Sequence, residues 1–292
     1  MKILITGGGG FIGRNLVSQY GPRHQVLAPS RAELNLLDAA AVGEYLQFHR
    51  FDAVIHAATD RSNRLLGSGP GLLESNCRMF FHLASHSRQF GRMLFLSSGM
   101  VYSREHLCPR IPESGFGAHI PSDPYGFSKY LCAQSIAETG NVFELRLFGV
   151  FGPHEDWRVR FISNACSRAV WDMPVTLRQN VFFDYLDVED LGRLLEAFLA
   201  GQFRYRQYNV CRGRAIDLES LAGKVVRASG KPLEIRVGRA GLGAEYSGDN
   251  ARMLGEIPGF EFLDMDASIL RLYRWYEERK PQIDPSLLRF DG

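Results

Sequence analysis

A glycine-rich turn set directly behind a short apolar strand constrains this chain more than any other feature. Lys2-Ile3-Leu4-Ile5-Thr6 has strand composition, and Gly7-Gly8-Gly9-Gly10-Phe11-Ile12-Gly13 follows at once. Phe11, Ile12, Leu16 and Val17 then recur at helical spacing. Strand, glycine turn and helix in that order predict a dinucleotide cradle. In such a cradle Gly7 permits the tight turn, Gly10 lets the backbone approach a pyrophosphate, and Gly13 lets the helix pack closely on the strand. The first turn of the helix, with Phe11 and Ile12, offers its N–H groups to the phosphates.

The rest of the chain repeats that rhythm. Apolar runs near 2–6, 24–28, 52–57, 92–97 and 142–147 read as strands, separated by helical stretches near 11–20, 38–49, 71–89 and 125–139. In the second helix Val42, Tyr45, Leu46 and His49 form one stripe, with Asp38 as its N-cap. The pattern predicts an α/β fold with a doubly wound parallel (Rossmann) sheet covered by helices on both faces. Regularity breaks after Gly152. Residues 1–152 with 181–210 are therefore expected to form the dinucleotide-binding domain, and 153–180 with 211–292 a smaller, discontinuous substrate domain. Residues 103–123, rich in Pro, Gly and Ser, read as a loop crossing the active site.

Tyr125 and Lys129 carry the chemistry. Four residues apart on a helix, they share a face. An ammonium beside a phenol favours the phenolate, which suits the pair to proton transfer in an alcohol–ketone interconversion. Eleven tyrosines and five lysines would give about 0.2 such spacings by chance. Upstream, Leu94-Phe95-Leu96-Ser97-Ser98 is a buried strand ending in hydroxyls, where an open parallel sheet places its ligands. Ser98 there can hydrogen-bond a substrate carbonyl. After the second strand comes Pro29-Ser30-Arg31, with no carboxylate before Glu33. Ser30 and Arg31 suit a 2′-phosphate, so NADP(H) is the preferred cofactor, with NAD(H) the alternative. Asn35 and Leu36 are expected beside the adenine, and Arg14 is a second phosphate candidate.

Together these motifs resemble the extended short-chain dehydrogenase/reductase family of nucleotide-sugar epimerases, dehydratases and 4-keto reductases, across nearly the whole chain. Ile55-His56-Ala57-Ala58 is similar to the family's third-strand ending, which implies that Ala57 and Ala58 pass under the cofactor. Asn76, Leu145 to Pro153, Asp184 to Asp190 and Tyr208-Asn209-Val210 match further segments. The GDP-fucose synthase-like reductases are the nearest subgroup, through Ser30 to Asp38 and Gly152-Pro153-His154-Glu155-Asp156. The resemblance implies a Ser98, Tyr125, Lys129 catalytic set, with Tyr125 and Lys129 also contacting the cofactor, Lys129 at the nicotinamide ribose.

Departures from the family narrow the activity. The arginine usual before the aspartate-aromatic pair is Phe183, and the asparagine usual before Gly-Pro is Gly149, so the substrate diphosphate is assigned to Arg158, Arg160 or Arg178. Gly99-Met100 replaces the Asp-Glu of dehydratases. Met100 and Arg160 stand where the epimerising reductases carry cysteine and histidine; Met100 is thus a substrate-contact candidate without an exchangeable proton. NADPH-dependent reduction of the 4-keto group of a nucleotide-linked (deoxy)sugar, without C3/C5 epimerisation, is the expected activity. A C4 epimerase retaining NAD, or a non-catalytic NAD(P)-binding protein, are the alternatives.

Composition agrees. A net charge of +2 without basic runs gives no support for nucleic acid or membrane as partner. Cys77, Cys108, Cys132, Cys166 and Cys211 are scattered, which predicts free buried thiols and no metal site. With the first strand at residue 2 there is no room for a signal peptide, so a cytoplasmic location is expected. A homodimer is compatible with the chain.

Overall fold

In a computed structural model, residues 1–60, 71–136 and 139–289 are described. The first half runs β1 (Lys2–Thr6), α1 (Phe11–Tyr20), β2 (Gln25–Leu27), α2 (Ala39–His49), β3 (Phe51–His56), α3 (Leu72–Ala84), β4 (Phe90–Ser98), α4 (Pro124–Ser135) and β5 (Val142–Leu147). Then follow β6 (Gly149–Phe151), α5 (Phe161–Val170), β7 (Val175–Asn180), β8 (Phe182–Phe183), β9 (Tyr185–Asp187), α6 (Val188–Ala200) and β10 (Gln207–Val210). The chain closes with β11 (Ile216–Asp217), α7 (Leu218–Ser229), β12 (Ile235–Leu242), α8 (Ala251–Glu256) and α9 (Met265–Glu277).

Six parallel strands form one sheet in the order β10-β5-β4-β3-β1-β2. Alternating side chains build its two cores. Ile3, Ile5, Ala53, Ile55, Leu94, Leu96, Phe143 and Leu145 join Leu16 of α1 and Leu191, Leu195 and Phe198 of α6. Leu4, Val54, Met93 and Phe95 point the other way, to Val42 and Leu46 of α2, Phe80 of α3 and Cys132 of α4. Burial on both faces explains why these strands read as continuous apolar runs. β1 lies between β2 and β3, the point where strand order reverses and doubly wound sheets take their ligands.

Of 181–210, only β10 enters this sheet. β8 pairs with β11 and β9 with β6 in separate two-stranded sheets. A further core gathers α5, α7 and α9 around Ile162, Leu177, Leu221, Val225, Ile269 and Leu272, next to the parallel β7–β12 pair. Asp38 caps α2 as expected, accepting from Ala41 N at 3.1 Å. Val42 and Leu46 are buried there, while Tyr45 and His49 are only half-buried. α3 stops at Ala84 rather than running to 89. There the Ser85 hydroxyl donates to His82 O (3.1 Å) and His86 Nδ1 lies 2.9 Å from the same carbonyl, competing for the backbone ladder. Residues 137–138 of the expected fourth helix lie outside the described residues. All five cysteines are free, although Cys108 is exposed rather than buried.

Candidate active site

The glycine turn is built as a cradle. Gly7 sits at φ +71°, where a side chain would be strained, and a Cβ there would lie 2.7 Å from the Ala58 backbone. A Cβ on Gly13 would meet Gly7 O at 2.2 Å, so α1 touches the turn through bare backbone. Gly10 N donates to Gly7 O at 2.9 Å and closes the turn. Above it lies a cavity of about 680 Å³ at the ends of β1, β2 and β3.

Apart from Arg14, the cofactor candidates outside α4 line that cavity: Gly7, Gly10, Phe11, Ile12, Gly13, Ser30, Arg31, Asn35, Leu36, Ala57 and Ala58. Glu33, the first carboxylate after β2, is not on the wall; it accepts from Ser30 N at 2.7 Å. Arg14 is also off the wall, its Nε donating to Gly9 O at 2.8 Å. Asp60, Ser75 and Met79 are among the other lining residues. Asn76 fixes that side, its Oδ1 accepting from Asp60 N (2.8 Å) and the Thr59 hydroxyl (3.2 Å). The cradle's bare backbone and the cavity's shape fit a dinucleotide.

At the floor of the cavity, Thr6 Oγ1 accepts from Ala58 N (3.3 Å) and shares a hydrogen bond with His56 Nδ1 (2.8 Å). His56 is 1% exposed; burial, then the Lys129 charge, drive its imidazole down to about 3. An unfolded histidine titrates near 6.5, so between these values the unfolded chain holds a proton that the native state lacks. Stability contributed here is therefore present above about pH 6.5 and lost as pH falls toward 3. We predict that His56→Gln flattens the acid-side stability slope by up to about 1.4 kcal/mol per pH unit relative to wild type, as read by denaturant titration at stepped pH. Parallel slopes would refute it.

At the end of β4 the two serines diverge. The Ser97 hydroxyl is spent on Glu144 Oε1 at 2.8 Å, whereas Ser98 accepts a 3.2 Å bond from Met100 N and keeps its hydroxyl proton for another acceptor. α4 begins with Asp123 accepting from Gly126 N (2.8 Å) and Pro124 in the first turn. A Cβ at Gly126 would lie 2.8 Å from Met100 O, so α4 packs directly on the turn that follows Ser98. Tyr125 is half-buried and Lys129 is 3% exposed. The Lys129 ammonium stands 5.8 Å from the Tyr125 ring centroid and 3.3 Å from Leu96 O. Phe127 and Tyr130 of the same helix are half-buried and buried respectively.

A buried polar network that the sequence reading did not find braces this end of the sheet. Arg146 donates Nε and Nη2 to Glu144 Oε2 (2.9 and 2.7 Å) and Nη1 to the Tyr102 hydroxyl (2.8 Å), with both charged side chains fully buried. Tyr102 passes its proton to Asn209 Oδ1 (2.6 Å), and Asn209 N donates to Glu113 Oε1 (2.9 Å). The network thus ties residues 102–113 to β5 and β10. Its signal was present: Glu144 and Arg146 alternate with the apolar Phe143, Leu145 and Leu147, which places both on one strand face.

The two departures noted in the sequence, Gly149 and Phe183, lie against each other. A Cβ at Gly149 would lie 2.7 Å from Asp184 O, 2.9 Å from the Tyr185 ring and 3.2 Å from the Phe183 ring. The rings of Phe183 and Tyr185 stack at 5.1 Å and fill the space of the absent side chain. Phe183 also packs on Tyr246 and Tyr246 on Phe148, and the last two rings crowd Gly99. Asp184 holds the corner by accepting from Arg212 N (2.8 Å) and Gly213 N (2.7 Å); burial still pushes its carboxyl up to about 6.

The three candidate substrate arginines differ in their surroundings. Arg158 is held by Asp156 through Nε (2.7 Å) and Nη2 (2.9 Å). Arg160 is the N-cap residue of α5, and Arg178 is exposed on β7. Among the described residues no helix is long and apolar enough to cross a membrane.

This architecture recurs in known proteins. The chain is 26% identical to a dTDP-4-dehydro-6-deoxy-D-allose reductase of Streptomyces sp, over 95% of this chain and 97% of the relative. It is 27% identical to an ADP-L-glycero-D-manno-heptose-6-epimerase of Pseudomonas paraeruginosa, over 78% of each. A GDP-L-fucose synthetase from Naegleria fowleri shares the fold at a TM-score of 0.81 and 17% identity, covering 96% of this chain and 93% of that one. The family model described as NAD dependent epimerase/dehydratase matches residues 3–211. With the glycine cradle, the doubly wound sheet and that match across more than half of its length, the chain belongs to the NAD dependent epimerase/dehydratase family.

Proposed function

We propose that the protein is an NADPH-dependent reductase of the 4-keto group of a nucleotide-linked (deoxy)sugar, acting without epimerisation at C3 or C5. The observation that carries this reading is the set of groups at the meeting of β4 and α4. Ser98, Tyr125 and Lys129 can serve one carbonyl oxygen, while Met100, in the turn on which α4 packs, carries a thioether with no proton to exchange.

A bound nicotinamide dinucleotide supplies hydride. The Tyr125 hydroxyl gives its proton to the ketone oxygen as that oxygen gains charge, and the Lys129 ammonium stabilises the phenolate left behind. Ser98 donates to the same oxygen, a small oxyanion site. Residues 153–180 with 211–292 form the substrate side, and Arg158, Arg160 and Arg178 are its candidates for the diphosphate; Arg158 would have to give up Asp156. Reductase and epimerase names both occur among the relatives, so the net use of cofactor decides between the readings.

Arg31 on the cavity wall, with Glu33 turned away to Ser30, supports NADPH. We predict that Arg31→Ala weakens NADP(H) binding by roughly 10- to 150-fold, the worth of one charged contact, and leaves NAD(H) binding nearly unchanged. Titration of both cofactors checks this; an unaltered ratio would remove Arg31 from the phosphate site. The activity itself is tested by incubating the protein with NADPH and a panel of nucleotide-linked 4-keto-6-deoxy sugars. Stoichiometric oxidation of NADPH with one panel member is expected. Interconversion of sugars without net cofactor use would establish an epimerase, and tight cofactor binding without turnover across the panel a non-catalytic protein.

A further inference from the structure

We infer that Phe95 is a positioning residue for Lys129, holding the ammonium against one face of its ring at the distance from Tyr125 that proton transfer needs. The inference rests on the reading that Lys129 serves Tyr125. Lys129 reaches its place on a flexible four-carbon stem. Its Nζ stands over both rings, 4.6 Å from the Phe95 centroid and 5.8 Å from that of Tyr125. The bond it donates to Leu96 O is long, 3.3 Å, for a group that is 3% exposed. Cation–π attraction is strongest for such a desolvated cation.

The ring can act this way because its packing sets its plane. Phe95 is 1% exposed on β4, stacked on His56 of β3 (5.6 Å, 20°) and packed on Phe80 of α3 (4.6 Å, 53°). Sheet and helix therefore fix the plane over which the ammonium settles. An apolar side chain of similar size would fill the same volume and offer the cation nothing.

The titratable groups sharing this space are Tyr125 and Cys132 on α4, Cys77 on α3 and His56 on β3. Burial keeps the imidazole neutral. Contact with Cys77, then burial, push the Cys132 thiol up, while the Cys132 contact pulls Cys77 down. A Cys77→Ser control therefore accompanies the test.

The test replaces Phe95 site-specifically by 4-fluoro-, 3,5-difluoro- and 3,4,5-trifluorophenylalanine, which drain the ring face of negative potential at nearly constant shape; Phe95→Leu completes the set. Two quantities are followed: the NMR order parameter of the Lys129 ε-methylene in lysine-labelled protein, where only five lysines contribute, and the alkaline limb of kcat for keto reduction. We expect the order parameter to fall stepwise with each fluorine. The alkaline limb should rise in step, by about 0.5–1 pH unit over the series, as the ammonium loosens from Tyr125. Both quantities flat across the fluorinated series would overturn the inference and leave Phe95 as packing, whether or not Phe95→Leu folds. A graded loss of order with an unmoved limb would uphold the positioning role and overturn the catalytic reading of Lys129.

Discussion

Tyr125→Phe should lower turnover by at least ~10²-fold while leaving cofactor affinity within about twofold of wild type, because only the transferable proton is lost. The ring itself remains, so the packing of α4 against the turn after Ser98, which runs through Gly126 and Met100, is undisturbed. Lys129→Met should behave differently. It removes the ammonium that favours the phenolate and, on the proposed role at the ribose, a cofactor contact as well, so both kcat and cofactor binding should fall. Steady-state kinetics with a parallel binding titration separate the two variants. Near-normal turnover in Tyr125→Phe would remove it as the acid.

Gly13→Ala is the second large effect. The added methyl would sit 2.2 Å from Gly7 O and 2.7 Å from Gly8 Cα, both backbone atoms that no rotamer change can move. Relief requires α1 to lift off β1 or the turn to open, and either displaces the N–H groups aimed at the pyrophosphate. Cofactor affinity should drop by at least ~10²-fold, close to 3 kcal/mol. The melting temperature should fall by several degrees, at roughly 2–4 °C per kcal/mol. Gly9→Ala, in the same turn but with nothing within 4 Å of the new methyl, is the matched control and should change affinity by no more than about threefold. Wild-type binding in Gly13→Ala would show that the close approach of α1 is not what shapes the cradle.

What could be read from the sequence was whatever has a short period or a short range. β1, β3 and β4 were legible because burial on both faces turns each into an apolar run, and β5 because Phe143, Leu145 and Leu147 recur at every second position. The cavity lining was legible because its residues follow three strand ends in order, which the doubly wound topology brings to one edge. Helix ends were less so: the stop of α3 at Ala84 depends on Ser85 and His86 competing for one carbonyl.

Non-local pairing hid the rest. Tyr102 finds Asn209 and Arg146, Thr6 finds His56, and Gly149 finds the rings of Phe183 and Tyr185, across separations that no periodicity reports. The Asp156–Arg158 pair is two residues apart and could have been anticipated; it leaves Arg158 the most occupied of the three arginines put forward for the diphosphate.

The central claim is simple ketone reduction, and solvent exchange tests it most directly. The reaction is run in D₂O with NADPH and the accepted keto sugar, and the product is examined by NMR. The Met100 side chain offers no exchangeable proton beside Ser98, and Arg160 at the N-cap of α5 presents a guanidinium, a hydrogen-bond donor with no acceptor. The account therefore predicts one new alcohol at C4 and no solvent deuterium on the ring carbons. Deuterium at C3 or C5 would contradict it, revealing an acid–base pair that enolises the substrate before hydride arrives.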